Sequence, residues 1–266
     1  MELTTRAAID IATEAGRMLK EMGYVPHDSS RKEALVHADI VTAHDIAIET
    51  YILNEIRTRF PTHAILSEET QSTTDPKTSP HVWIVDPIDG TISFASGLPL
   101  YSVSISYFEN QKPRSSALYL ASTNEVLWCE TGGGAYVGDT NIHVRDLPPE
   151  EAVIALDHGV RTREITMKEL APNISLGIRA LLMTPGEAGN IGLVARGNIQ
   201  GLLCSHPQVW DFAAGMHIAL EAGAVVTDYA GNAYDDWFAR KGHIICTKSV
   251  LPYLLSHTKK VAHHYT

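Results

Sequence analysis

The chain's 266 residues suffice for one large domain or two small ones with a sizeable core. A formal net charge of −10 and a pI near 5.7 argue against a nucleic-acid footprint or a basic membrane-binding face, and 44% hydrophobic with 20% charged residues is an ordinary globular balance. No apolar run approaches a membrane span, Met1 to Lys20 lacks the apolar region of a signal peptide, and the three cysteines, Cys129, Cys204 and Cys246, fit neither zinc nor disulfide spacing, so reduced thiols in a cytoplasmic protein are expected.

In chain order, Thr4 or Thr5 is placed to cap a first helix. Ala8, Ile11, Ala12, Ala15, Leu19 and Met22 follow at helical spacing, and Gly23 is a natural stop. Val25 to Ala38 reads as an irregular loop, with Lys32 a spare cation. In Asp39 to Asp45, Thr42 and Asp45 resemble a capping box. The helix it opens carries Ile46, Ile52, Leu53, Ile56 and Phe60 on one face and ends at Pro61. Ala64 to Leu66 is a short strand running into Ser67-Glu68-Glu69, and Gln71 to Pro80 a loop. After a buried strand from His81 or Val82, a short helical turn ends near Gly97, and Tyr101 to Tyr107 alternates as a half-buried strand. Strands at Ser115–Ala121, Glu125–Cys129, Ala135–Val137 and Ile142–Val144 complete a largely antiparallel half.

Leu147-Pro148-Pro149-Glu150 is the candidate boundary between an N-terminal α+β domain, 1–147, and a C-terminal α/β domain, 148–266. Beyond it, strands (Ala152–Leu156, Arg179–Met183, Ile199–Cys204, Val225–Asp228, His243–Cys246) alternate with helices (Ile165–Leu170, Gly186–Arg196, Trp210–Ala222, Pro252–His257), a pattern of sheets layered with helices.

The chemistry concentrates in Trp83-Ile84-Val85-Asp86-Pro87-Ile88-Asp89-Gly90-Thr91. An apolar strand is expected to deliver two carboxylates to its own end and then turn into a helix N-terminus, where free backbone N–H groups attract anions. Pro87 stiffens the turn between the acids, so that both carboxylates and the Ile88 carbonyl can aim at one point. Glu68 and Asp211 also stand where a strand ends or a helix starts. A lone aspartate there is most often a turn former, and Asp45 alone is a helix-start acid. The whole run, however, places acids beside an anion site, which requires cations between them. Oxygen ligands without adjacent Cys or His favour Mg²⁺, Mn²⁺ or Ca²⁺ over zinc.

This run resembles the first signature of the inositol monophosphatase family of Mg²⁺-dependent, lithium-sensitive phosphatases. Trp210-Asp211-Phe212-Ala213-Ala214-Gly215 through Ala224 resembles the second, Asp39 to Asp45 the family's Asp-x-Val-Thr-x-x-Asp, and Ser67-Glu68-Glu69 its Gly-Glu-Glu. The likeness covers nearly the whole chain. It implies a five-layer α-β-α-β-α sandwich with an antiparallel N-terminal sheet and a smaller mixed C-terminal sheet, a homodimer, and hydrolysis of a small phosphorylated metabolite. By resemblance Glu68, Asp86 and the Ile88 carbonyl hold a first metal, Asp86, Asp89 and Asp211 a second, and Glu68 faces a third through water. Mg²⁺ is the implied ion, with Mn²⁺ as a substitute. Gly90 and Thr91 N–H groups hold phosphate, and Thr91 paired with Asp45 orients the attacking water. Ile88, Asp89, Glu187, Ala188, Cys204 and Asp211 border the substrate.

Cys204 and Glu187 depart from the family's pattern. Cys204 stands where inositol phosphatases carry a glutamate that contacts ring hydroxyls, a loss of about 1.5–3 kcal/mol in a charge-assisted hydrogen bond. Glu187 stands where a small residue is usual. It is either a replacement acid or an ordinary first-turn acid of a helix. Relatives acting on histidinol phosphate, fructose bisphosphate or adenosine 3′,5′-bisphosphate are alternatives to an inositol phosphate substrate, and a regulatory binding protein that keeps the fold is an alternative of another class.

Overall fold

The apolar stripe of the first twenty residues winds into helix α1 (Leu3–Met22), burying Ala8, Ile11, Ala12, Ala15 and Leu19. The computed structural model describes residues 1–23, 29–31, 40–70, 76–157, 162–205 and 207–265. Gly23 stops α1 with φ of 67° and an N–H donated to the Leu19 carbonyl at 3.2 Å. Neither threonine caps the helix. Thr4 and Thr5 instead hydrogen-bond Ser115 Oγ at 2.9 and 2.8 Å, tying the helix to the sheet beneath it. Met22 is exposed.

Strands β1 (Ser29–Arg31) and β2 (Ile40–Thr42) form an antiparallel pair, which corrects the loop expected over 29–31. Lys32, Asp39 and residues 71–75 lie outside the described residues. Helix α2 (Ala43–Arg59) buries Asp45, Ile48, Glu49, Ile52, Leu53 and Ile56. Ile46, expected on that face, is exposed, because it lies two positions from Ile48 and so about 200° around the helix.

Strands β3 (Ala64–Ser67) and β4 (His81–Asp89), then, past helix α3 (Thr91–Ala95), β5 (Ser102–Glu109), β6 (Lys112–Leu120), β7 (Glu125–Glu130), β8 (Gly134–Val137) and β9 (Thr140–Ile142), form a seven-stranded sheet in chain order. Only β3 and β4 run parallel. Period-two alternation divides the apolar run of β4 between two cores: Trp83 and Val85 meet α1 and α2, while Val82 and Ile84 meet the opposite layer. Strand β5 is buried on both faces, not one. Its serine face is covered too, and Ser102, Ser104 and Ser106 find partners in Asp89 Oδ2, the Trp210 carbonyl and Ser116 Oγ.

The second sheet comprises β10 (Val153–Asp157), β11 (Ala180–Leu182), β12 (Gly201–Cys204), β13 (Val225–Asp228) and β14 (His243–Cys246) in the order β11-β10-β12-β14-β13, with parallel and antiparallel pairs mixed. Its helices are α4 (Arg163–Ile165), which continues through a π turn over Thr166–Leu170 into α5 (Ala171–Ser175), then α6 (Glu187–Ala195), α7 (Val209–Glu221) and α8 (Leu251–Thr258). Helices α6 and α7 fill the space between the two sheets, contributing Ile191, Phe212 and Met216. Ile174 of α5 and Leu254 of α8 cover the outer face of the second sheet. The result is the five-layer α-β-α-β-α sandwich, with the starts of α2, α3, α6 and α7 directed toward the end of β4.

Candidate active site

Asp86 and Asp89 do not lie beyond a terminated strand. The strand β4 continues to Asp89, and a bulge inserts one residue between the pairs Asp86–Ser104 and Asp89–Ser102. Residues three apart on a regular strand point to opposite faces, and one inserted residue returns them to the same face. The bulge thus turns both carboxylates toward the α6–α7 layer. Pro87 has no N–H to lose from the ladder, and Asp86 Oδ1 accepts the Ile88 N–H at 3.0 Å, fixing the turn.

Each acid is held by a different element. Asp89 sits against the start of α6, where Oδ1 accepts the Glu187 N–H at 2.9 Å and Oδ2 accepts the Gly189 N–H at 3.0 Å and the Ser102 hydroxyl at 2.7 Å. Asp211, in the first turn of α7, accepts the Gln208 N–H at 2.7 Å as half of a capping box. Glu68 follows β3, and its own N–H reaches the Val85 carbonyl at 3.3 Å. The loop that carries it is clamped by Glu49. The buried carboxylate of Glu49 accepts the N–H groups of Glu69 and Thr70, each at 3.1 Å, and the hydroxyls of Ser67 and Thr70. Sequence reasoning missed Glu49. Its signal was there: it falls one turn after Asp45 on the same helical face.

Two glycines allow the close approach of β4 to α6. Gly90 has φ of 87°, and an added Cβ would lie 2.8 Å from the Leu100 carbonyl and 3.3 Å from Gly186 Cα. Gly186, with φ of 101°, faces it in return. Thr91 begins α3, and its Oγ1 lies 2.9 Å from the Ile88 carbonyl and 3.3 Å from Asp45 Oδ1. One hydroxyl proton cannot serve both acceptors at once, and the shorter contact is to Ile88. Asp45 is fully buried.

The electrostatics are those of a site short of positive charge. Burial pushes the Glu68 carboxyl up to about 7 and Asp89 up to about 6, and drives Asp86 and Asp211 well above the ordinary carboxylate range. Asp86 is further opposed by Glu68, Asp89 and Asp211, so the four acids lie within electrostatic reach of one another. The leading influences on all four are burial, neighbouring acids and hydrogen bonds, with no lysine or arginine among them. All-oxygen donors in a part-buried, anion-rich cluster fit a hard divalent cation such as Mg²⁺.

The remaining predicted residues border this cluster. Ala188 is fully buried in α6. Glu187, the first residue of α6, turns its side chain inward. Cys204 Sγ donates to Glu187 Oε2 at 2.7 Å, and His243 Nε2 lies 2.8 Å from Oε1. Burial, reinforced by Glu187, pushes the Cys204 thiol well up. Glu187 is therefore more than a first-turn acid. No sequence signal marked His243, whose strand reads as plain core.

The sequence model of the inositol monophosphatase family matches residues 1–263. The chain belongs to the inositol monophosphatase family. It is similar to a fructose-1,6-bisphosphatase/inositol-1-monophosphatase of Thermotoga maritima (34% identity over 194 residues, 73% of each chain) and to the Nus factor SuhB of Pasteurella multocida (31% identity, 90% of this chain and 88% of the relative). The crystal structure of the extragenic suppressor protein suhB from Bartonella henselae superposes with a TM-score of 0.87 at 28% identity, covering 97% of this chain and 99% of that one. Membership of the inositol monophosphatase family makes the chain a phosphomonoesterase, and metal dependence is general among such enzymes. No helix among the described residues is long and apolar enough to cross a membrane.

Proposed function

We propose that this phosphatase hydrolyses the phosphate monoester of a small polyol or sugar, of the inositol-1-phosphate type. The observation that carries the reading is the cluster of Glu68, Asp86, Asp89 and Asp211: Asp86 and Asp89 are buried, Glu68 and Asp211 part-buried, and Asp86 is opposed by the other three. These carboxylates and the Ile88 carbonyl would hold two or three Mg²⁺ ions, with Mn²⁺ as a substitute. Bound there, the metals would supply a water of lowered pKa and neutralise charge on the phosphate and the leaving oxygen.

The protein's own groups do the positioning. The Thr91 hydroxyl, between Asp45 and the Ile88 carbonyl, orients the attacking water, with Glu68 beside it. The Gly90 and Thr91 N–H groups receive phosphate oxygens at the start of α3, which the glycine conformation leaves uncovered. Asp89 locks α6 to β4 through its bonds to Glu187 and Gly189, placing the pocket wall of Glu187, Ala188 and Cys204 beside the reacting phosphate. Residues 1–147 then carry most of the ligands, and residues 148–266 supply Asp211 and the pocket.

Phosphate release with Mg²⁺ across inositol 1-phosphate, fructose bisphosphate, histidinol phosphate and adenosine 3′,5′-bisphosphate tests the substrate. Fastest turnover of a polyol or sugar phosphate supports the reading, and turnover confined to the nucleotide contradicts it. The Thermotoga relative's name supports including fructose bisphosphate. The SuhB relatives favour a second reading, a regulatory binding protein that keeps the fold. A stoichiometric macromolecular partner retrieved with negligible phosphatase activity would place that reading first. The homodimer inherited from the family is tested by light scattering on the purified chain.

A further inference from the structure

Beside the carboxylate cluster lies a second group of different chemistry. Glu187, Cys204 and His243 come from α6, β12 and β14, and one donor atom of each lies within 4.8 Å of the other two. All three are buried, His243 completely. Neither ring nitrogen of His243 has a hydrogen-bond partner among the described residues, because the close approach of Nε2 to Glu187 is not directed as a hydrogen bond. A fully buried imidazole with no hydrogen bond is costly unless another ligand satisfies it.

We propose that Glu187, Cys204 and His243 bind one thiophilic divalent cation, of the zinc class, at a site separate from the all-oxygen Mg²⁺ cluster. Thiolate, imidazole and carboxylate are the ligand types that select zinc, and three protein ligands leave one position open. On binding, the Cys204 thiol loses its proton to solvent. One thiolate, one carboxylate and a neutral imidazole then balance the dication, so the buried complex carries no net charge, which burial favours. His243 lacks an outer hydrogen bond to fix its ring. That omission places the affinity about 10- to 100-fold below that of a fully supported zinc centre.

The test is a Co²⁺ titration of the whole protein in excess Mg²⁺, read by absorbance. A thiolate-to-cobalt charge-transfer band should appear and saturate at one equivalent. It should vanish in Cys204→Ser and persist in Cys129→Ser. Far-UV circular dichroism establishes that the variants fold. His243→Gln, which keeps the thiol, should weaken binding at least tenfold and alter the visible spectrum. Absence of the band in the parent, its persistence in Cys204→Ser, or unchanged affinity in His243→Gln would overturn the site. None of these readouts depends on phosphatase activity.

Discussion

In the apoprotein Asp86 fixes the turn through Ile88 but sits among like charges. Its carboxyl is buried and opposed by the charges of three neighbouring acids, while it accepts the Ile88 N–H and shares a side-chain hydrogen bond with Glu68. Replacing it by asparagine should lower phosphate release at saturating substrate by more than about a hundredfold, since losses at supporting outer-shell groups alone reach 10- to 100-fold. The same change removes a repelled charge, so the metal-free Tm should rise, by about 2–4 °C for each kcal/mol relieved. Paired turnover and melting curves on parent and variant check both signs. Near-normal turnover would remove Asp86 from the metal site. At Cys204 the thiol already donates to the Glu187 carboxylate, so an acid anchored on α6 occupies the space beside the Cys204 side chain. Cys204→Glu would set two carboxylates against each other. The expected result is reduced stability with no gain in inositol phosphate turnover, measured by melting and by phosphate release.

Among the elements, the bulge in β4 and the clamp by Glu49 decide where Asp86, Asp89 and the loop of Glu68 point. The run Asp86-Pro87-Ile88-Asp89 was legible as a rigid turn, but the sequence placed it after the strand. The ladder to β5 continues through Ser104 and Ser102, a long-range pairing that no local pattern reports. The serines of β5 were misread for a related reason. Alternating polarity signals one wet face, whereas here a helical layer and a set of hydroxyl hydrogen bonds cover that face. Helix starts and stops fared better where one backbone conformation decides them, as at Gly23 and Gly186. They failed at Thr4 and Thr5, where a distant serine competed for the hydroxyls. The clustering of Asp86 and Asp89 could be read because their residue types and spacing are local. His243 and Glu49 could not, because their partners arrive from other elements. Glu49→Gln should loosen the loop bearing Glu68, which now bonds to both carboxylate oxygens. The Mg²⁺ concentration needed for half-maximal activity should rise about 10- to 100-fold, with kcat at saturating metal changed far less. Mg²⁺ titrations of activity check this, and a loss of kcat alone would contradict it.

Across the whole molecule, the acid cluster makes stability depend on pH and metal together. Carboxyls whose folded pKa lies above the unfolded value bind more protons folded than unfolded, so apoprotein stability falls as pH rises. The window runs from the ordinary carboxylate range near 4 to the folded values of about 6 for Asp89 and about 7 for Glu68. His217, buried and held down to about 3, acts oppositely below its ordinary pKa, but does so with or without metal. The difference in Tm between Mg²⁺-loaded and metal-free protein therefore isolates the cluster and should grow from pH 5 to pH 8. A constant difference would contradict the link. Net charge points the same way: a chain at −10 repels phosphate unless bound cations reverse the local field. The most direct measurement is phosphate release by chelator-stripped protein as Mg²⁺ is added back, at fixed ionic strength. The expected result is no release without the metal, recovery with added Mg²⁺, and no recovery in Asp86→Asn. Release that survives stripping, or recovery in Asp86→Asn equal to that of the parent, would contradict a metal-dependent phosphatase built on the end of β4.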